Sequence, residues 1–570
     1  MAKCVVTDTI GTFRIESDDA IHLTSSMIYL RATRPLLSVF SIAAVVVLLV
    51  GCPGPDVSQT NADGESETPA PSTEVSSASG VPAETDASAA PDDGSTSETP
   101  SENTTSQASG YNAEYADQKY PPFFEGWEKP DFTLYFTGRQ HGYIEPCGCT
   151  GLANQKGGLS RRHVLYEQLE EKGWNPVALD IGNQVRRYGR QPEIKFQTTI
   201  SGLKRIGYEA IGYGADDLRL SAGELLSAAI GIDGEPAPFV CANVNILGQT
   251  PPLKVFEAHG KKIGLTAVLG EQEQRAVTND EIELSDPDSA LEKVLPKLKD
   301  AGCDLYILLS HTSIDESKRL GGKFPLFDLV VTAGSAGEPS HRLEPIEGSK
   351  GQLVQIGTKG MYVSVVGVYE EGDRFRLQRA PLDGRFKDSR DMLDLMAAYQ
   401  QQLEAVGLEG LGVKPLPHPS GRTFVGSETC ADCHYDEYEI WKETPHAHGT
   451  DSIVHPAERS EIPRHHDPEC LSCHVTGWNP QEYYPYKSGY LSLEKTRAMT
   501  QMGCENCHGP GSHHVAAENG ELDEADKYRE EMILTLKEAR DTCLQCHDLD
   551  NSPAFHLEGA FEKYWERVKH

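Results

Sequence analysis

The pentapeptide Cys-x-x-Cys-His occurs four times in the last quarter of this 570-residue chain. The copies are Cys430, Cys433 and His434; Cys470, Cys473 and His474; Cys504, Cys507 and His508; and Cys543, Cys546 and His547. Two thiols two residues apart can add to the two vinyl groups of one haem while the adjacent imidazole ligates its iron, so each copy reads as a covalent c-type haem site. Zinc knuckles also use Cys-x-x-Cys pairs, but they do not require His directly after every second Cys. The spacing therefore predicts four covalently bound haem c groups, with iron bound by His434, His474, His508 and His547.

Haems of this type are attached outside the cytoplasm, and the start of the chain agrees. Residues 36–50 form an apolar run preceded by Arg31 and Arg34 and followed by Gly51 and Cys52. This resembles the bacterial lipoprotein signal, in which cleavage leaves Cys52 as the new N-terminus and lipidation attaches it to a membrane. The run is shorter than the roughly 20 residues of a spanning helix. Asp8, Glu16, Asp18 and Asp19 are unusual in a signal, which makes Met27 an alternative start.

From 53 to about 125 the chain runs in Ser, Thr, Ala, Pro, Glu and Asp, too poor in large apolar side chains to offset its ordering entropy, and is expected to be a solvated tether. The remainder is long enough for two folded units: an α/β region at 130–385, a helical connector at 386–418 and the haem-bearing tail at 419–570. The formal net charge of -34 argues against nucleic-acid partners and favours basic redox partner proteins at the cell envelope.

In the α/β region, short β-branched runs at 132–136, 177–181, 210–213, 239–244, 263–268, 305–310 and 326–332 alternate with amphipathic stretches at 159–169, 195–206 and 290–298. Residues 353–377 read as consecutive antiparallel strands. Chemistry in such folds gathers on loops beyond the strand ends. There the order and spacing resemble the calcineurin-type metallophosphatases, especially the 5'-nucleotidase branch, whose members hold two metals on five strand-end motifs. The resemblance implies a layered α/β sandwich and metal-dependent hydrolysis of nucleotides or thiosulfonate esters.

The ligands depart from that pattern. The first motif reads Arg139-Gln140-His141-Gly142, the second Gly182-Asn183, the third Gly214-Ala215-Asp216-Asp217, and the fifth Gly334-Ser335-Ala336-Gly337; the fourth keeps His311. A cation at Arg139 and an amide at Asn183 remove the charges that would hold a metal pair. His141, Asn183 and His311 remain as a possible remodelled site for a single metal, with Asp180, Asp216 and Asp217 nearby.

Beside the first motif, Cys147 and Cys149 stand one residue apart. They suit a soft metal, a sulfur substrate, or a disulfide to Cys241 or Cys303. The following Lys156-Gly157-Gly158 leads into a helix and is either an anion cradle or an ordinary helix entry.

In the tail, Val425 to Glu428 before the first haem motif, Trp441 to Ala447 after it, Thr476-Gly477, and the stretch from Cys504 to His514 resemble the cytochrome c-554 family. That resemblance implies short helices and loops wrapped on closely stacked haems, and at least one haem with an open iron. By the same resemblance His446 and His514 are expected as distal ligands. His455, His465, His466, His513, His556 and His570 are further histidines available to the haems.

Together these features predict an electron-transfer lipoprotein of the bacterial cell envelope. Its folded domains would lie in the periplasm or at the outer surface, and its phosphatase-like region would serve docking or ligand binding. The alternative is an oxidoreductase acting on a small nitrogen or sulfur compound at an open haem or at Cys147 and Cys149.

Overall fold

The computed structural model describes residues 122–146, 155–231, 236–335, 337–456, 460–549 and 551–570. Cys52, the tether, Cys147, Cys149 and Ala336 lie outside the described residues.

The strands of the first region are β1 (Phe132–Thr137), β2 (Pro176–Asp180), β3 (Tyr208–Ile211), β4 (Val244–Ile246), β5 (Lys254–Ala258), β6 (Lys261–Leu269), β7 (Ile282–Leu284), β8 (Leu305–His311), β9 (Leu329–Thr332), β10 (Glu344–Pro345), β11 (Gln352–Gln355), β12 (Tyr362–Val368) and β13 (Phe375–Pro381). They build a five-stranded sheet ordered β13-β12-β1-β2-β3 and a six-stranded sheet ordered β10-β11-β9-β8-β6-β5. In each sheet the central pairs are parallel, β1 with β2 and β2 with β3, and β6 with β8 and β8 with β9. Their C-terminal ends therefore open toward common loops.

Successive side chains on a strand point to opposite faces, and the second sheet uses both. Ile307 and Leu309 enter the large core shared with Leu134, Phe136 and Leu179 of the first sheet, whereas Leu308 between them joins Leu291, Leu298 and Leu320. The same alternation places Leu329 and Val331 in one core and Val330 in the other. The helices Pro287–Ala301 and Ile314–Lys323 thus cover the outer face of the second sheet. The helices Leu159–Glu171, Arg190–Ile206 and Arg390–Gly410 cover the first sheet, through Leu165, Phe196, Leu203, Leu395 and Tyr399. The result is a four-layered helix-sheet-sheet-helix sandwich.

Two strand expectations need correction. The run at 239–244 supplies an isolated bridge from Phe239 to Ile211, where Val240 N–H bonds to Ile211 O, and then only Val244 at the start of β4, which pairs antiparallel with the distant β7. The segment 353–377 is not a single antiparallel series: β11 pairs parallel with β9 in the second sheet, and only β12 and β13 pair antiparallel in the first. Gly357 and Gly360 lie where the chain crosses between the sheets, a change that local alternation does not encode.

The tail consists of short helices, among them Pro468–His474, Cys504–His508, Ser512–Glu518, Leu536–Cys546 and Ala560–Val568. Its largest apolar cluster is small: Phe424, Ile453, Leu471, Val475, Trp478, Tyr490 and Met499. No helix among the described residues is long and apolar enough to cross a membrane.

Candidate functional sites

The loops after β1, β2, β3, β8 and β9 bring Arg139, His141, Asn183, Asp216, His311 and Ser335 to one end of the sandwich. The loops after β1 and β2 interlock through the backbone. Arg139 N–H donates to Gly182 O (2.7 Å), His141 N–H to Asn183 O (3.1 Å) and Gly142 N–H to Gln184 O (2.7 Å). Arg139, His141 and Asn183 sit at φ 51°, 55° and 63°, a left-handed conformation that costs non-glycine residues energy and persists only where the surroundings impose it. At Gly182 (φ 96°) a Cβ would lie 2.5 Å from Gly214 N, so glycine is what lets the second and third loops touch.

The charges here are already matched within the chain. The Arg139 guanidinium donates to Ala333 O (2.7 Å) and Ser335 O (2.5 Å), tying the first loop to the fifth. Asn183 exchanges two hydrogen bonds with Asp216, each 2.9 Å. Asp217 accepts from the N–H groups of Asn183, Gln184, Val185 and Gly214; burial pushes its carboxyl up to about 7 against the pull of those donors. Asp180 accepts from Thr137 and Gln184 and faces the buried Arg162 at 3.7 Å. His311 rests its Nδ1 on Ile181 O (3.1 Å). Burial holds His311 down to about 4 and, with Arg139 and Arg186 nearby, His141 down to about 3.

A binuclear metal centre does not fit these residues. The carboxylates are consumed by backbone donors and arginine, and a guanidinium crosses between the loops that would carry ligands. Among the described residues no group of three or more His, Cys, Asp or Glu side chains is set to hold a metal.

Cys241 and Cys303 are free thiols, Cys241 being buried against Asn243, while Cys147 and Cys149, the other cysteines considered for a pairing, lie outside the described residues. The Gly157-Gly158 turn serves packing. A Cβ on Gly157 would lie 3.1 Å from Lys359 O, and Lys156 pairs with Glu338 at 3.4 Å and donates to the Tyr362 hydroxyl at 3.1 Å.

In the tail the four motif histidines fall into two classes. The ring of His434 faces that of His514 with centres 6.2 Å apart, His547 faces His446 at 6.3 Å, and His508 faces His570 at 5.7 Å. Imidazole–metal bonds are about 2 Å long and a ring centre lies roughly 1 Å behind its nitrogen, so rings on opposite sides of one metal have centres about 6 Å apart. Three pairs therefore have the spacing of axial ligands, and the residues fit haem iron there. The buried Nδ1 of His514 has no hydrogen-bond partner, its nearest carboxylate, Glu518, being 3.7 Å away.

His474 differs, for among the described residues no second histidine ring is stacked against it at that spacing. Its Nδ1 lies 2.7 Å from Gly449 O, just as Nδ1 of His508 lies 2.7 Å from Met532 O and that of His547 lies 3.1 Å from the Ser552 hydroxyl. Such contacts fix the tautomer and leave the other ring nitrogen for a metal. His465 and His466 stack on each other at 4.1 Å, and His556 bonds back to His547 O.

Neighbouring motifs touch. The thiols of Cys430 and Cys504 lie close together, Cys507 lies near Cys543, and His446 lies near both His474 and His547. Glu505, inside the third motif and buried, accepts from Val425, Gly426 and Gly511, which locks the entrance of the first motif onto the third.

The second motif is fastened to the sandwich. Asp467 caps the helix Pro468–His474 and accepts from Gln191 (2.6 Å) and from the hydroxyl of Tyr399 (3.1 Å) on the connector helix. Glu469 pairs with Lys195 (2.6 Å) and Arg187 (3.1 Å), and Arg464 with Glu145 (2.7 Å).

Residues 429–509 match the family model described as cytochrome c554 and c-prime. Cytochrome c-554 of Nitrosomonas europaea is 32% identical over 98 residues, covering 15% of this chain and 39% of that protein. An apyrase of Aedes albopictus is 21% identical over 298 residues, 46% of this chain and 53% of the apyrase. The chain thus spans between about two fifths and about half of the length of these curated relatives. Among solved structures, the sulfate thiohydrolase SoxB of Thermus thermophilus aligns at TM-score 0.43 and 12% identity over 52% of this chain and 64% of that one. A 5'-nucleotidase precursor from the same organism aligns at TM-score 0.43 and 17% identity over 60% and 74%. The helical C-terminal region thus contains, at residues 429–509, a segment that matches the cytochrome c554 family, which implies covalently bound haem c.

Proposed function

We propose that this protein is an envelope-anchored electron carrier holding four haem c groups, and that its phosphatase-like sandwich is a docking or ligand-binding module without hydrolytic activity. The observation that carries this reading is the recurrence of Cys-x-x-Cys-His four times, with three of the four histidines facing a second histidine across the span of one metal. Haem c supplies reversible one-electron chemistry when bound, and paired axial histidines favour carriers over catalysts. The pairs His434 with His514, His547 with His446 and His508 with His570 would hold three irons on both sides. Cys52 would carry the lipid anchor, and basic redox proteins at the envelope would be the partners of so acidic a chain.

A second reading, reduction or oxidation of a small nitrogen or sulfur compound, rests on His474, whose ring lacks a facing histidine among the described residues. Low-temperature electron paramagnetic resonance of the oxidised protein, with haem and metal content measured on the same sample, separates the two. Four low-spin haems support a pure relay. One high-spin haem at the second motif moves the protein toward small-molecule chemistry, and a stoichiometric second metal would overturn the non-hydrolytic sandwich. Release of a Cys52→Ala variant from the membrane fraction tests the anchor.

A further inference from the structure

A cavity of about 60 Å³ lies where the strand-end loops of the sandwich meet the second haem motif. His141 stands on the loop after β1, Arg186 and Arg187 follow β2, and Lys195 is on the helix Arg190–Ile206. Glu469 and Tyr483 close the cavity from the tail. Three cations and one carboxylate line it, a formal sum of two positive charges in a chain whose net charge is -34. Glu469 is shared by Lys195 and Arg187. Arg187 also donates to the Tyr483 hydroxyl and lies over its ring at 3.7 Å, so its planar fork is held in place rather than swinging in solvent. His141 is fixed by its left-handed backbone and its bond to Asn183 O, and burial, with the cations around it, keeps it neutral, hence able to donate without adding charge.

A cleft with an excess of positive charge and low-dielectric walls concentrates anions, and here it does so against the repulsion of the chain's negative net charge. Size limits which ion. One water needs about 10–15 Å³ in the same measure, so the space corresponds to roughly four to six waters, which suits one ion of four or five heavy atoms and excludes a nucleotide.

We propose that this junction cavity binds a small inorganic oxyanion, trigonal or tetrahedral, through Arg186 and Arg187, with His141 and Tyr483 completing the hydrogen bonds. Arginine presents paired donors that match oxyanion geometry. The proposal rests on the reading of the sandwich as a ligand-binding module and is independent of which redox role the haems have.

The test is calorimetric titration of the full, haem-loaded protein at low ionic strength with nitrite, sulfite and inorganic phosphate, and with AMP as competitor. The expected result is saturable one-to-one binding of at least one of the three ions, weakened tenfold or more by Arg186→Gln and unaffected by AMP. No saturable binding of any of them, an unchanged Kd in Arg186→Gln, or displacement by AMP overturns the proposal. Should Arg186→Gln fail to fold, selenate soaked into crystals of the unsubstituted protein decides. An anomalous peak beside Arg186 and Arg187 supports the site, and absence of one there overturns it. Haem content and resonance signals from the same sample report on electron transfer separately, so a failed titration leaves that reading standing.

Discussion

The sandwich and the tail solve opposite problems. The sandwich has a complete core of its own, with Leu134, Phe136, Leu179, Ile307 and Leu309 fully buried between sheets, and its strand-end loops hold Arg139 and Asn183 in bonds within the chain. The tail has one small apolar cluster but keeps every thiol and histidine that its cofactors require. A fold supported by buried side chains survives the loss of its site, because the site contributed little to the core. A fold that wraps cofactors cannot lose them and remain a fold.

The largest effect follows from that contrast. Replacing both thiols of every haem motif by Ser is expected to abolish cooperative folding of the tail while the sandwich keeps its own thermal transition. Calorimetry with far-ultraviolet circular dichroism reads this, and a tail that melts cooperatively without haem would break the comparison. Next, His570→Ala is expected to convert the haem at Cys504 and Cys507 from low-spin to high-spin, raising the high-spin resonance by about one haem; an unchanged spectrum would remove His570 from the ligand set.

Asp467→Ala strikes the seam between the regions. It removes a helix cap and the acceptor shared by the Gln191 amide and the Tyr399 hydroxyl, which keep only their bond to each other, a loss of about 2–4 kcal/mol read by denaturant unfolding. Within the sandwich, the buried His311 titrates at about 4 rather than 6.5. Its neutral form is kept in the folded state while the unfolded chain takes up a proton below about pH 6.5, so stability is full above that pH and falls as pH drops toward 4. The loss approaches about 3 kcal/mol at pH 4, and a His311→Asn variant should show a flatter profile by that amount. Smallest is Lys156→Ala, which breaks a half-exposed pair with Glu338 and should cost no more than about 1 kcal/mol while leaving oxyanion binding at the junction unchanged.

Much of this was legible in the chain itself. The short apolar runs at 305–310 and 326–332 mark strands because each face of those strands meets a different core, that at 132–136 because both its faces are buried, and the haem motifs are legible because covalent attachment demands adjacent residues. The distal histidines are a different matter. His446 and His514 stand in stretches that resemble a known family, but His570 lies far from His508 in sequence, and only the folding back of the helix Ala560–Val568 joins them. The transfer of β11 to the second sheet escaped for a similar reason, since pairing partners are tertiary facts. Arg139 reads as a lost ligand in sequence; that it would grip Ala333 O and Ser335 O depends on two loops meeting.

Glu469 sits next to Cys470 and is the shared partner of Lys195 and Arg187 in the wall of the cavity. Anything that alters how those two cations divide their charge alters the electric potential at the second motif, and the converse holds with equal magnitude, since coupling free energies between two binding events are reciprocal. With an oxyanion in the cavity and a haem at the second motif, as proposed above, this one carboxylate would couple the oxidation state of the tail to the occupancy of the sandwich.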